Sequence, residues 1–402
     1  MPTRHINREF IEESYQKLCP ETKAMLDKSI ASMIHAKENG GKIVVVTGSG
    51  PNLHEGVTTL IAELIHKEMI DGVTTSAAVI AHEMSGTLEK VKRVDGRKLG
   101  FEEAILPRGN IFEGNIMPQD FVKELKKEMI YDEDLLNKIL EEEGSVIIKA
   151  AGNMAYPLGL RTEKLAKEVL FVAQSKKVPF EEAAAAAADR NTMLGAAFEK
   201  NIPILITIPQ LVGGGMVGIC AGDSISVMER STRIAEMMGS ADVIIESGVA
   251  LTQEIHDGPF ETYTGHGIWS LWEGYPTYSL RNKTIVRFDL DPNLKKAWDM
   301  DKNSSTVQEA IDKGLPKTKL TSIPFRMEMS GFARLENSIP VIGDLGILWP
   351  IMALRLEERF GFKLDFMSYP QQTLDGKKMR EWIVENVKPL NKDKLFRLTD
   401  KK

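Results

Sequence analysis

Two histidines and several carboxylates crowd one stretch of the chain, EIHDGPFETYTGHGIW at residues 254–269. Glu254, His256 and His266 lie there beside Asp257, Tyr263 and Trp269, with glycine on both sides of His266. Imidazole titrates near neutrality, so a histidine held among such groups is equipped for general acid/base catalysis. The same composition also describes a wet surface loop with a satisfied histidine. His82 and Glu83 follow a turn of small residues and could face the same site. A zinc centre from His256 and His266 lacks a third ligand at a telling spacing. His66 falls in the middle of an expected helix and reads as a solvated surface residue.

These groups need a scaffold, and residues 41–88 supply its plan. Residues 43–46 are a β-branched apolar run of the length of a buried strand. Thr47-Gly48-Ser49-Gly50-Pro51-Asn52 follows, small enough to let backbone N–H groups approach a ligand. A helix is expected over residues 57–69, with Leu60, Ile61, Leu64 and Ile65 on one face. A second strand over residues 72–75 ends in Ser76-Ala77-Ala78. This is a βαβ unit, and open α/β sheets bind ligands at the carboxyl ends of their strands. Four such strand-end loops occur, at residues 48–52, 75–78, 247–248 and 343–344. Together they would converge along one sheet edge, as a dinucleotide site requires. Asp344, at the end of the last strand, could take both hydroxyls of a ribose; it could equally cap the following helix. The dinucleotide fingerprint G-x-G-x-x-G is absent, because Gly48-x-Gly50 is followed by Leu53, and there is no Walker A sequence.

The whole chain of 402 residues has room for one large α/β domain or two ordinary ones. Its net charge of -6, with 43% hydrophobic and 27% charged residues, points away from nucleic acid and membrane surfaces. Cys19 and Cys220 are far apart and show no metal-type spacing, which fits a reducing cytosol. No apolar h-region opens the chain, so a cytoplasmic location is expected. Residues 1–40 read as a helical extension, 41–365 as the principal domain and 366–402 as a C-terminal extension. Within the domain, residues 89–103 read as a helix and loop over the sheet edge. Residues 107–115 read as an ordered loop, 121–142 as one long amphipathic helical region, and 145–150 as a strand. The alanines at 183–188 predict a helix in close contact with a neighbour. The expected class is α/β, a Rossmann-like, doubly wound, mostly parallel sheet with helical ends.

The order of these loops resembles the deoxyhypusine synthase superfamily over residues 40–365. PNLHEGVTTLIAELIHKEMIDGVTTSAA resembles its Asn-containing loop, helix and strand ending in Thr-Thr-Ala-Gly-Gly. PRGNIFEGN is similar to its Arg-x-Gly-Asn loop. NTMLGAAFEKNIPILITI resembles the segment before its active-site glycines, and IPVIGDLGILWPIMALRLEE its closing strand, Asp loop and helix. The resemblance implies a Rossmann-like NAD site lined by Asn52, Thr75, Ser76, Ala77, Ser247, Gly248, Gly343 and Asp344, in a homotetramer with sites at dimer interfaces. Two departures bear on the substrate. The family's polyamine loop with two Asp reads here Leu211-Val212-Gly213-Gly214-Gly215-Met216-Val217, without an acid. The segment FRMEMSGFARL, where its catalytic lysine would fall, holds no lysine, and Arg326 or Arg334 cannot form an imine. The expectation is therefore an NAD-dependent enzyme acting by hydride transfer on a small, non-polyamine substrate, whose carboxylate the two arginines would suit if they face inward. The alternatives are a true deoxyhypusine or homospermidine synthase and a non-catalytic NAD-binding scaffold or sensor.

Overall fold

Six short apolar strands build the central sheet of the computed structural model. The structure describes residues 6–400 except 49, 153, 249–265, 268–277, 290–291, 293–295, 297–298, 301–302 and 316–335. Numbered in chain order, the strands are β1 (Ile43–Thr47), β2 (Gly72–Thr75), β3 (Leu88–Asp95), β4 (Ile111–Asn115), β5 (Gly144–Ala150), β6 (Ile204–Ile206), β7 (Val243–Ser247), β8 (His266–Gly267), β9 (Tyr278–Ser279), β10 (Thr284–Asp289) and β11 (Ser338–Ile342). The central sheet runs β11-β10-β7-β1-β2-β6, and every pairing in it is parallel. Counted along the chain, its six strands have the doubly wound order 3-2-1-4-5-6. The chain starts in the middle, moves outward through β2 and β6, then returns to the other side of β1 with β7. The topological switch point is the crevice between β1 and β7.

Every residue of β1, β2 and β7 is buried; β1 and the first three residues of β7 accordingly read as continuous apolar runs rather than alternating ones, while Thr74, Thr75, Glu246 and Ser247 are buried polar groups towards the strand ends. Ile43 and Val45 pack into one core with the helices Pro20–Glu38, Val57–His66 and Leu345–Phe360. Val44 and Val46 point the other way, to a smaller core with Ile234, Ala235 and Met238 of the helix Val227–Ser240. The helix Arg8–Lys17 packs on Leu345–Phe360, with an ion pair between Arg8 and Glu357. Asn7 Nδ2 donates to Asp375 Oδ2 at 2.8 Å, tying the beginning of the described chain to its C-terminal helices.

Between β2 and β6 the chain makes a second, antiparallel sheet, β4-β3-β5. The expected helix and loop at 89–103 is therefore corrected: Leu88–Asp95 is a strand. Its apolar residues Leu88, Val91 and Val94 are three apart, which imitates a helical stripe. In the strand they alternate faces, and all three are buried because both sides are covered. The expected loop at 107–115 resolves into a turn, with Asn110 N donating to Pro107 O at 2.8 Å, followed by β4. The region 121–142 is two helices, Gln119–Glu128 and Glu133–Glu141, the second capped by Asp132 accepting from Leu135 N. The alanine run is helical only to Ala185, in the helix Phe180–Ala185. Ala183, Ala184, Ala185, Ala187 and Ala188 are buried within this same chain. They pack against its own helices and offer no surface to a second subunit.

Candidate functional site at the carboxyl edge of the sheet

Parallel strands end in register along one edge, and here hydrogen bonds link neighbouring strand ends in turn. At the β11 end, Gly343 N donates to Asp289 O, 2.8 Å, where β10 stops. Gly248 N donates to Phe288 O, 2.8 Å, joining the end of β7 to β10. Across the switch point, Asn52 Nδ2 donates to Ser247 O at 3.0 Å, and Ser247 Oγ donates to Asn52 Oδ1 at 2.5 Å. Trp349 Nε1 donates to the same Ser247 Oγ, 2.9 Å. Thr75 Oγ1 donates to Thr47 O at 2.9 Å, joining β2 to β1, and Thr207 N donates to Thr75 O at 3.1 Å beyond β6. Ser76 caps the helix Ala77–Met84 by accepting from Val79 N. Ala77 packs directly against Gly214, where a Cβ would come within 2.6 Å of Ala77 backbone. The structure therefore brings Asn52, Thr75, Ser76, Ala77, Ser247 and Gly248 together, and sets the Gly213–Gly215 loop beside them.

A dinucleotide fits this edge in part. Gly50 has φ +68°, and a Cβ built there would meet nothing, so its turn is open to a ligand approaching the backbone. At the end of β2, however, Thr75 and Ser76 stand where an acidic residue would hold ribose hydroxyls. Asp344 lies at the far edge, three strands from β1, and its Oδ1 accepts from Gly346 N at 2.8 Å as the cap of Leu345–Phe360. Its neighbour in charge is Glu55, which is buried. Burial, reinforced by the negative charge of Asp344, lifts the Glu55 carboxyl to about 7. A hydrogen bond from Gln371 N, 2.7 Å, works against that rise.

His82 lies on the helix that leaves β2. Its Nδ1 is 2.6 Å from Ala151 O. A carbonyl can only accept, so Nδ1 carries the hydrogen and the lone pair of the neutral ring is on Nε2. Burial depresses the His82 pKa, with Lys149 acting in the same direction and the Ala151 bond opposing. The ring lines a cavity of about 500 Å³ with Ala78, Tyr156, Glu163 and the glycines 213–215. Glu163 accepts from Met216 N at 3.0 Å. Glu83, by contrast, faces away from any site. It is fully buried, and its two oxygens accept from Met193 N and Leu194 N, at 2.9 and 3.0 Å, at the start of the helix Met193–Lys200.

Glu254 and His256 lie outside the described residues. His266 is in β8, paired with Ser279 of β9. Among the described residues no group of three His, Cys, Asp or Glu could hold a metal ion, and no helix is long and apolar enough to cross a membrane. Sequence reasoning missed Glu55, which directly follows the β1 loop, and Trp349 and Arg380, which come from the C-terminal part of the chain.

No family model matches the chain, and no curated protein does. Solved structures similar to it include apo ArgZ, an arginine dihydrolase from the ornithine-ammonia cycle in cyanobacteria, at 12% identity and TM-score 0.39, over 83% of this chain and 31% of that one. Another is AgrE in ternary complex with ornithine and NAD+, at 11% identity and TM-score 0.40, over 85% of this chain and 34% of that one. A third is a conserved putative LOR/SDH protein from Methanococcus maripaludis S2, at 10% identity and TM-score 0.38, over 90% and 70%. The chain spans about a third of the length of the first two.

Proposed function

We propose that the β1/β7 crevice binds NAD and that the chain is an NAD-dependent enzyme acting on a small, non-polyamine substrate. The observation that carries this reading is the 3-2-1-4-5-6 strand order with small-residue turns joined across its switch point. Kinship with the deoxyhypusine synthase superfamily, a homotetrameric assembly and the three-part division of the chain belong to the same proposal, and rest on the order of the loops. NAD, when bound, supplies the hydride acceptor. The Gly50 turn leaves room for its backbone-bound phosphates, while Asn52 and Ser247 hold the turns of β1 and β7 at a fixed separation. His82, with Nε2 free to accept, takes the proton that leaves a substrate hydroxyl or amine in the adjoining cavity. Glu254, His256 and His266 are further candidates for acid/base work. The cavity's carboxylate, Glu163, is exposed at the surface and already accepts a backbone N–H. Such a wall does not provide the several desolvated carboxylates that a polyamine requires.

Calorimetric titration tests the cofactor: NAD should bind the wild type, and Gly50→Val, which blocks the open turn, should weaken it. Absence of binding to the wild type would refute the proposal. NADH formation with a metabolite pool tests turnover. His82→Gln should lower it by about 10²-fold while NAD affinity holds, the usual contribution of a general base. Spermidine-dependent NADH formation would overturn the substrate assignment.

A further inference from the structure

Arg380 carries a positive charge to the β1 side of the molecule, and among the described residues no carboxylate forms an ion pair with it. It belongs to the helix Leu374–Asn386 in the C-terminal segment. Its Nη2 donates to Ile148 O of β5 and lies 3.4 Å from His54 Nδ1. Its Nε is buried with no hydrogen-bond partner among the described residues. The acid that acts on it electrostatically is Glu55, whose Oε2 is occupied by Gln371 N at 2.7 Å. Among the described residues the guanidinium forms no ion pair. A guanidinium taken partly out of water without a counter-charge is costly, and its planar fork is suited to an oxyanion.

His54 closes the short helix Pro51–His54 that begins at the open Gly50 turn. Its ring is half-buried and touches Arg380, and Lys149 and His82 are within electrostatic reach. Of these two, Lys149 is paired with Glu113 and His82 donates from Nδ1 to Ala151 O. Burial, with the Arg380 charge second, keeps the His54 pKa low. An arriving anion would reverse that balance and draw a proton onto the ring.

We propose that Arg380 and His54 form an oxyanion site over the β1 turn, which takes either a phosphate of a dinucleotide or the carboxylate of a small substrate. The choice between these two sources rests on the functional reading above; the site itself stands on the unmet charge of Arg380. Titration of the full-length protein with inorganic pyrophosphate, malonate and NAD tests it. Wild-type protein should bind pyrophosphate or malonate, and Arg380→Gln should weaken that binding by about tenfold or more, the loss expected for a charge-assisted hydrogen bond. Arg380→Lys, which keeps the charge without the fork, should retain part of it. Binding enthalpy should differ between buffers of different ionisation enthalpy, reporting proton uptake, and His54→Asn should abolish that difference. Parallel loss of pyrophosphate and NAD binding assigns the site to the phosphate; loss of malonate binding alone assigns it to the carboxylate. Oxyanion binding by a protein that does not bind NAD would keep this site and remove the cofactor reading. If Arg380→Gln does not fold, Arg380→Lys and His54→Asn carry the test. Wild-type protein that binds neither pyrophosphate nor malonate, or variants that bind both as the wild type does, would overturn the proposal.

Discussion

Replacing Asn52 by alanine should loosen the switch point, and the structure says by how much. The Asn52 side chain is 2% exposed and Ser247 1%, so water cannot substitute for either. Asn52 makes two hydrogen bonds to Ser247, one to the backbone carbonyl and one from the hydroxyl. Alanine removes both at once. The Ser247 hydroxyl still accepts from Trp349 Nε1 but loses the acceptor for its own hydrogen. A buried polar group left without a partner costs about 1–3 kcal/mol, and the space left by the amide adds to this. Asn52→Ala should therefore destabilise the fold by about 2–4 kcal/mol. Ser247→Ala orphans Asn52 Oδ1 and Trp349 Nε1 and should cost a similar amount. The double variant should be less destabilised than the two single effects added, by about 1–2 kcal/mol, because the two residues act as one unit. Urea denaturation measures all three, with unchanged m-values as the control for a native-state effect. A wild-type midpoint for Asn52→Ala would refute the reasoning, since a buried amide with two partners cannot be removed without cost.

Three further outcomes follow from particular contacts. Asp344→Ala should cost about 1 kcal/mol through loss of the cap on Leu345–Phe360; if Asp344 also holds a ribose, NAD affinity should fall by about 1–3 kcal/mol, and an unchanged titration would leave it a cap alone. Glu89 is buried, and burial pushes its carboxyl to about 7 against an ordinary 4.5. The folded protein then keeps this proton where the unfolded chain has released it, so stability is full below pH 4.5 and declines as pH rises through about 7. Thermal melts of Glu89→Gln should lose that part of the slope, roughly 3 kcal/mol at most, and a slope equal to wild type would count against it. Ala184→Leu should destabilise the monomer fold by about 1–3 kcal/mol through overpacking, because Ala184 is buried inside its own chain; light scattering that showed only a change of oligomeric state would contradict this.

The central sheet was legible because its strands are covered on both faces. β1 is buried at every residue and reads as one β-branched apolar run bracketed by turns of glycine and small polar residues, so it stands out in the sequence nearly as it folds, whereas β10 buries Arg287 and Asp289 among its apolar residues and β11, at the edge, alternates buried with half-buried positions. The second sheet was not legible for the opposite reason. Leu88, Val91 and Val94 are spaced as a helix would space them, and only pairing with β4 and β5 turns the segment into a strand. Local pattern cannot report a partner that lies 16 to 62 residues away. The alanine run was legible in part, as a closely packed helix over its first three alanines. Alanine permits close approach, but the sequence does not say whether the neighbour belongs to the same chain, and here it does.

The site was legible only as far as it is built from strand ends. Asn52, Thr75, Ser76 and Ser247 each sit at the carboxyl end of a strand, and a parallel sheet brings such residues to one edge whatever else the chain does. Glu83 shows the limit: it follows the same turn as His82, but one residue of helix, about 100°, separates a side chain that lines a cavity from one that caps another helix. Arg380 shows it more sharply. It is 326 residues from His54, on a C-terminal helix that holds no histidine and follows no strand end. What marks it is that, among the described residues, no carboxylate forms an ion pair with it once the helix has docked, and that is a property of the folded molecule alone. A search for chemistry in the sequence finds residues that are unusual for their neighbourhood along the chain. A charge left unpaired by folding is unusual only for its neighbourhood in space, so a ligand contact made by such a residue is visible in the structure alone.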